Sequence, residues 1–153
     1  MEEFVLAING LHDRIGYRVA RLARLIDARF EEHINRFGIT RMMWCVLSGA
    51  GLEGVTTPSG LADHIGIERS AVSRLLRKME ALGLIERNGI VEDGRGIEIR
   101  LTASGRRIAR ECHVFAEEVN DHFAAKVDAE DLDRFNRIIA VMSTGETSRL
   151  TRL

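Results

Sequence analysis

The sequence predicts a mainly α fold with a small β-hairpin, on three observations. Apolar residues recur at three- and four-residue steps through most of the chain, as amphipathic helices require. Between residues 84 and 101 that pattern gives way to short alternating runs around a glycine-rich stretch. Thr57-Pro58, Gly66 and Gly83 punctuate two short helices so tightly that the helices must pack as a pair. The 153 residues, 45% hydrophobic, suffice for one domain with its own core and an extension for oligomerisation.

Phe4 to Phe37 reads as the first helix, with Phe4, Ile8, Leu11, Ile15, Val19, Leu22, Ile26, Phe30, Ile34 and Phe37 at helical spacing. Gly10 and Gly16 weaken its start, so Glu3–Asn9 is free to bend away as an arm. Arg14, Arg18, Arg21 and Arg29 occupy its other faces. Gly38 ends the helix, and Thr40 caps a short, very apolar one from Arg41 to Gly49. Thr57 as N-cap with Pro58 at the first helical position opens a third helix, which stops at Gly66. Only Ile67 and Glu68 separate it from a fourth, Glu68 to Leu82, so the two form a helix-turn-helix.

Val72, Leu75, Leu76, Met79 and Leu82 put the apolar face of the fourth helix on one side. The opposite stripe is Arg69, Ser70, Ser73, Arg74 and Arg77, with Lys78 beside it. Guanidinium forks reach guanine edges, and hydroxyls reach phosphate or base, so this stripe suits a DNA major groove. Gly83 closes the helix. Leu84–Arg87 and Ile97–Leu101 then read as the strands of a hairpin, and its glycine-flanked tip presents Arg95 with Asp93 two residues earlier. A cation at such a tip can enter a narrow minor groove. The unit is therefore a winged helix-turn-helix.

Thr102 caps a long helix from about Ala103 to Val127, and Asp128 caps the last, whose stripe is Leu132, Phe135, Ile138, Ile139 and Met142. Gly145 ends it, and the polar tail 146–153 frays. These helices carry more apolar surface than a small winged unit can cover. They are expected to bury one another or a second copy, and a homodimer with a two-fold axis is the economical arrangement. The chain reads as one domain, 1–153: residues 1–37 and 107–153 supply dimerisation helices that flank the winged helix-turn-helix of 38–106.

Twenty-two basic residues face 23 acidic ones, which argues against a protein that coats nucleic acid without specificity. No apolar run reaches the roughly 18 residues that span a bilayer, and the N-terminus is acidic, so a cytoplasmic location is expected. Cys45 and Cys112 fall on apolar stripes and read as buried, inert thiols. No phosphate-binding glycine loop, metal motif or activated nucleophile is present, so neither an enzyme nor a cofactor is expected. His113, Glu117 and Asp121 share a helical row that could hold a metal but reads more simply as a solvated face.

Taken together, several segments resemble the MarR family of transcriptional regulators over nearly the whole length. They are Phe37-Gly38-Ile39-Thr40, Leu61-Ala62-Asp63-His64-Ile65-Gly66-Ile67, Ser70-Ala71-Val72-Ser73-Arg74 and Leu82-Gly83-Leu84-Ile85-Glu86-Arg87, followed by Asp93-Gly94-Arg95 and Leu101-Thr102-Ala103-Ser104-Gly105. The resemblance implies a homodimer that binds a pseudo-palindromic operator in double-stranded DNA. Such a protein usually represses, and is often released by a small phenolic or other anionic effector, or by oxidation. By position, Ser70, Ser73, Arg74 and Arg77 match the groove-facing part of the family's recognition helix, and Arg95 matches its wing arginine. Glu68 departs from the capping Ser or Asp usual there, and Gly60 stands where a better helix former is common. An effector cleft between the first helix and the winged unit would be edged by His12, Tyr17 and Arg18. The alternatives are a thiol-based redox sensor and a winged module that binds protein without DNA.

Overall fold

The computed structural model describes residues 10–89 and 96–146. Six helices and one hairpin follow in order: α1 Ile15–Ile34, α2 Arg41–Gly51, α3 Pro58–Ile65, α4 Arg69–Ala81, β1 Ile85–Gly89, β2 Ile97–Leu101, α5 Ala103–Ala124 and α6 Ala129–Ser143. The expected arm at 3–9, the wing tip with Asp93 and Arg95, and the tail beyond Glu146 lie outside the described residues.

Each start has a local cause. Side-chain oxygens of Thr40, Thr57, Thr102 and Asp128 accept from the backbone N–H three residues on, giving α2, α3, α5 and α6 one satisfied donor each. The first helix is shorter than its periodicity suggests. Gly10 and Arg14 are extended, and Leu11–Asp13 make a 3-10 turn. Arg18 Nε reaches back to donate to the His12 carbonyl at 2.7 Å, which holds that turn apart from the helix. At its other end α1 tightens into a second 3-10 turn, Asn35–Phe37, before Gly38 turns left-handed at φ 68°.

The core lies where α1, α2 and α5 meet the helix-turn-helix. Phe30 and Ile34 of α1, Met43, Val46 and Leu47 of α2, Leu61 and Ala62 of α3, and Val72, Leu76 and Met79 of α4 are all buried. Ile85, Ile99 and Leu101 from the hairpin and Ile108, Cys112 and Val119 from α5 close it. At about 1.5–3 kcal/mol for each large apolar side chain removed from water, this cluster dominates the favourable side of folding. Leu82, placed on the apolar face of the fourth helix by its spacing, is instead 51% exposed, because the helix ends at Ala81.

β1 and β2 pair antiparallel with Ile85 opposite Leu101 and Gly89 opposite Ile97. On its other edge β2 is held to the loop before α3, where the Ile99 N–H donates to the Thr56 carbonyl at 2.7 Å. The wing is thus tied to the helix-turn-helix by backbone as well as by packing. The boundary expected at 106/107 falls inside α5, whose first turn packs under the wing. By contrast, α6 buries none of its residues and makes only marginal contact with the other described elements.

Candidate nucleic-acid interface

The helix-turn-helix is built from α3 and α4 around two glycines. Gly60 explains itself here: a Cβ would lie 2.8 Å from Thr57 Oγ1 and 3.1 Å from Val55 Cγ1. The Gly60 N–H donates to that same hydroxyl at 3.1 Å, so the cap closes only because the residue has no side chain. Gly66 turns left-handed at φ 78°, and the Gly66 and Ile67 N–H groups both return to the Ala62 carbonyl at 3.0 Å. Ile67, fully buried, seats the turn. Glu68 then caps α4 through its backbone carbonyl, which accepts from Ala71 at 3.0 Å and Val72 at 3.1 Å, while its side chain makes no cap bond.

With Val72, Leu76 and Met79 buried, the other face of α4 is fixed. Arg69, Ser70, Ser73, Arg74, Arg77 and Lys78 are all exposed. The seven expected DNA-facing residues thus reduce to six on one continuous surface, with Arg95 outside the described residues. Among the described residues, ion pairs engage Arg18, Arg41, His64, Arg87, Arg100, Arg107 and Arg134. None engages Arg69, Arg74, Arg77 or Lys78. Four cations without an ion pair among the described residues, on one helix face, suit an external polyanion, whose phosphates they would neutralise as bound counterions leave. Arg100 is different: both its Nε and Nη2 bind Glu98 Oε2, at 3.0 and 2.8 Å, so it brings little charge to the wing.

Residues that sequence reasoning did not single out hold this surface in place. Arg87 of β1 grips Glu80 of α4 with Nε at 2.8 Å and Nη2 at 2.6 Å, bolting the recognition helix to the wing. That fork holds the Glu80 carboxyl below its ordinary range. Behind it, the Thr102 hydroxyl donates to the Gly83 carbonyl at 2.7 Å and accepts from the Gly105 N–H at 3.0 Å, joining the turn after α4 to the start of α5. Gly105 permits that approach, since a Cβ there would collide with the Leu84 carbonyl oxygen. The spacing of Gly83, Thr102 and Gly105 was visible in the sequence; their meeting was not.

His12, Tyr17 and Arg18 do come together at the start of α1. The His12 ring meets Tyr17 edge-on at 4.9 Å, and Arg18 also pairs with Asp13 at 3.3 Å. They line no part of the described cavity of about 690 Å³. That space lies between α1, α2, α5 and α6, with Ile26, Phe30, Trp44, Phe123 and Phe135 among its walls. Two buried donors of its lining residues lack a hydrogen-bond partner among the described residues, Arg41 Nε and Trp44 Nε1. Arg41 meanwhile pairs through Nη1 with Asp27 of α1.

Cys112 is buried as expected, and burial pushes its thiol to about 11; Cys45 is only half-buried, yet burial raises it too. Neither carries the thiolate character on which peroxide chemistry depends. Among the described residues no three His, Cys, Asp or Glu side chains are grouped to hold a metal, and no helix is long and apolar enough to cross a membrane.

This arrangement matches known proteins. The family model described as "MarR family" matches residues 37–96, from the end of α1 to the wing. The HTH-type transcriptional repressor Rv2887 of Mycobacterium tuberculosis is 23% identical over 125 residues, which cover 82% of this chain and 90% of that protein. Among solved structures, a cysteine-to-serine mutant of MarR from E. coli complexed with operator DNA superposes with a TM-score of 0.76 at 20% identity, over 88% of this chain and 98% of that one. The Rv2887 complex with p-aminosalicylic acid superposes with a TM-score of 0.62 at 21% identity, over 86% and 99%. The chain is thus similar in sequence to the MarR family over residues 37–96, and it shares the fold of these solved structures over most of its length.

Proposed function

We propose that the chain is a sequence-specific DNA-binding transcriptional regulator, acting as a repressor, that grips a pseudo-palindromic operator as a homodimer. The observation that carries this reading is the exposed face of α4, where Arg69, Arg74, Arg77 and Lys78 stand without ion-pair partners among the described residues, beside Ser70 and Ser73. Arginine forks and hydroxyls supply direct base readout and phosphate contacts from one helix. The wing, held by Arg87 and Glu80, would bring Arg95 to the adjacent minor groove. A relative named a repressor and a structural neighbour bound to operator DNA support the same reading.

Release by a small aromatic anion is part of the proposal. The cavity beside Trp44 and Arg41 has the apolar walls and sparse polar donors that such a molecule needs. Arg41 also links α1 to α2 through Asp27, so an anion that draws on its guanidinium would loosen the dimer helix from the helix-turn-helix. His12, Tyr17 and Arg18 form a separate cluster at the start of α1 that does not line this cavity. The test of the main reading is footprinting of the purified protein on genomic fragments. Discrete protected sites with two-fold related halves are expected; protection without sequence preference would overturn it.

A further inference from the structure

We infer that Glu68 reads a cytosine in each half-site and so sets part of the operator's sequence; the inference rests on the DNA-binding reading above. Glu68 occupies the N-cap of α4 with extended backbone, φ −61° and ψ 138°, and it is exposed. Its carboxylate has none of the work that an acid at a helix start usually does. It makes no cap hydrogen bond, and among the described residues it joins no ion pair, although Arg69 is its neighbour. The carboxylate is therefore solvent-exposed and without a cap bond or ion pair among the described residues, at the start of the helix whose exposed cations mark it for a polyanion.

In helix-turn-helix complexes the N-terminal residues of the second helix reach base edges in the major groove. A bare carboxylate brought there is repelled by phosphates, by the O6 and N7 acceptors of guanine and by O4 of thymine. Two groups in the groove can donate to it, N4 of cytosine and N6 of adenine. Adenine sets its N7 acceptor directly beside that donor, which an acceptor-only side chain cannot use. Cytosine is the base left. The same charge that weakens non-specific binding thus rewards one base, so Glu68 trades affinity for discrimination.

Selection of bound sequences from a random duplex library, run at one salt concentration with wild type, Glu68→Gln and Glu68→Ala, tests this. Wild type should enrich cytosine at one position of each half-site. Glu68→Gln should move that position towards adenine, because a carboxamide both donates to N7 and accepts from N6. Glu68→Ala should leave the position without preference while the other positions keep theirs. Replacing that cytosine in the selected site should weaken wild type about 5- to 150-fold and leave Glu68→Ala nearly unaffected. The side chain is exposed and makes no cap bond or ion pair among the described residues, and the backbone bonds of Glu68 survive each substitution, so all three proteins should melt alike. Identical preferences in all three would overturn the role of Glu68 and leave the DNA-binding reading standing; a wild type that selects no motif would overturn both.

Discussion

Arginine is abundant in this chain, and what separates one arginine from another is whether it has a partner. Arg87 and Arg100 are spent on Glu80 and Glu98, whereas Arg74 and Arg77 are exposed and without an ion pair among the described residues. Sequence spacing put the latter two on the exposed face, since the burial of Val72, Leu76 and Met79 fixes the helix rotation. It could not tell that Arg100 is neutralised, because that depends on a side-chain rotamer with no periodic signature. Arg74→Ala or Arg77→Ala should weaken operator binding by about 1–3 kcal/mol, with little change in thermal stability. Titration at matched salt checks this, and wild-type affinity in both variants would mean that the reading face is elsewhere. Gly105 acts the opposite way. Its Cβ would collide with the Leu84 carbonyl, a backbone atom that cannot rotate aside. Gly105→Ala should therefore cost on the order of 1–3 kcal/mol of stability by overpacking, read as a lowered urea midpoint.

Elements were legible where a cap, a period and a terminator agreed. Thr57-Pro58 to Gly66 and Thr102 onward came out as the sequence implied, because each start is a side-chain oxygen three residues from a free N–H. The start of α1 did not, because apolar spacing runs on through Gly10 and Gly16 while Arg18 diverts the backbone at His12. The joint between α4 and β1 was equally invisible, being a contact between Glu80 and Arg87 across a turn. Its pH dependence has a definite sign. Arg87 lowers the Glu80 pKa in the folded protein, so the pair stabilises the joint above the ordinary carboxylate range. That contribution is lost as pH falls through the depressed value. Glu80→Gln should remove it at neutral pH, lowering the melting temperature there, and the difference from wild type should vanish under strongly acidic conditions. A constant difference across that range would show that Arg87 does not act through the charge.

At the scale of the whole molecule, the cavity and the bare helices raise one question: what covers them. Trp44 is the chain's one tryptophan and stands at the cavity wall with its indole N–H unpartnered, so its emission reports on occupancy. Titration with p-aminosalicylic acid, the ligand of a structural neighbour, should shift that emission saturably, and Arg41→Ala should abolish the change if the guanidinium holds the anion. The cavity opens beside α6, and the apolar stripe of α6 is exposed, with Ile138 at 50%, Ile139 at 42% and Met142 at 50%. So is the first half of the α1 stripe, Ile15, Val19 and Leu22, together with Leu11 in the turn before it. Two long apolar stripes left in water would be a standing cost at roughly 25 cal/mol per Å², and a stable interface needs only about 1,600 Å² in total. Charge points to which stripe meets which. α1 carries Arg21, Arg24 and Arg29, and Arg14 at its N-cap, without ion pairs among the described residues, whereas the first turn of α6 is acidic at Glu130 and Asp131, which share Arg134 between them. Pairing α1 of one copy with α6 of another joins unlike charges and buries both stripes, and the two-fold axis then completes two such contacts at once. Wild type should accordingly sediment as a dimer at micromolar concentration. Ile139→Glu or Val19→Glu should shift it to monomer, with the helical spectrum of the winged unit retained, and should weaken binding to a full operator far more than to a half-site. A wild type that sediments as a monomer and still binds full and half-sites alike would refute the pairing, and with it the two-fold reading of the operator.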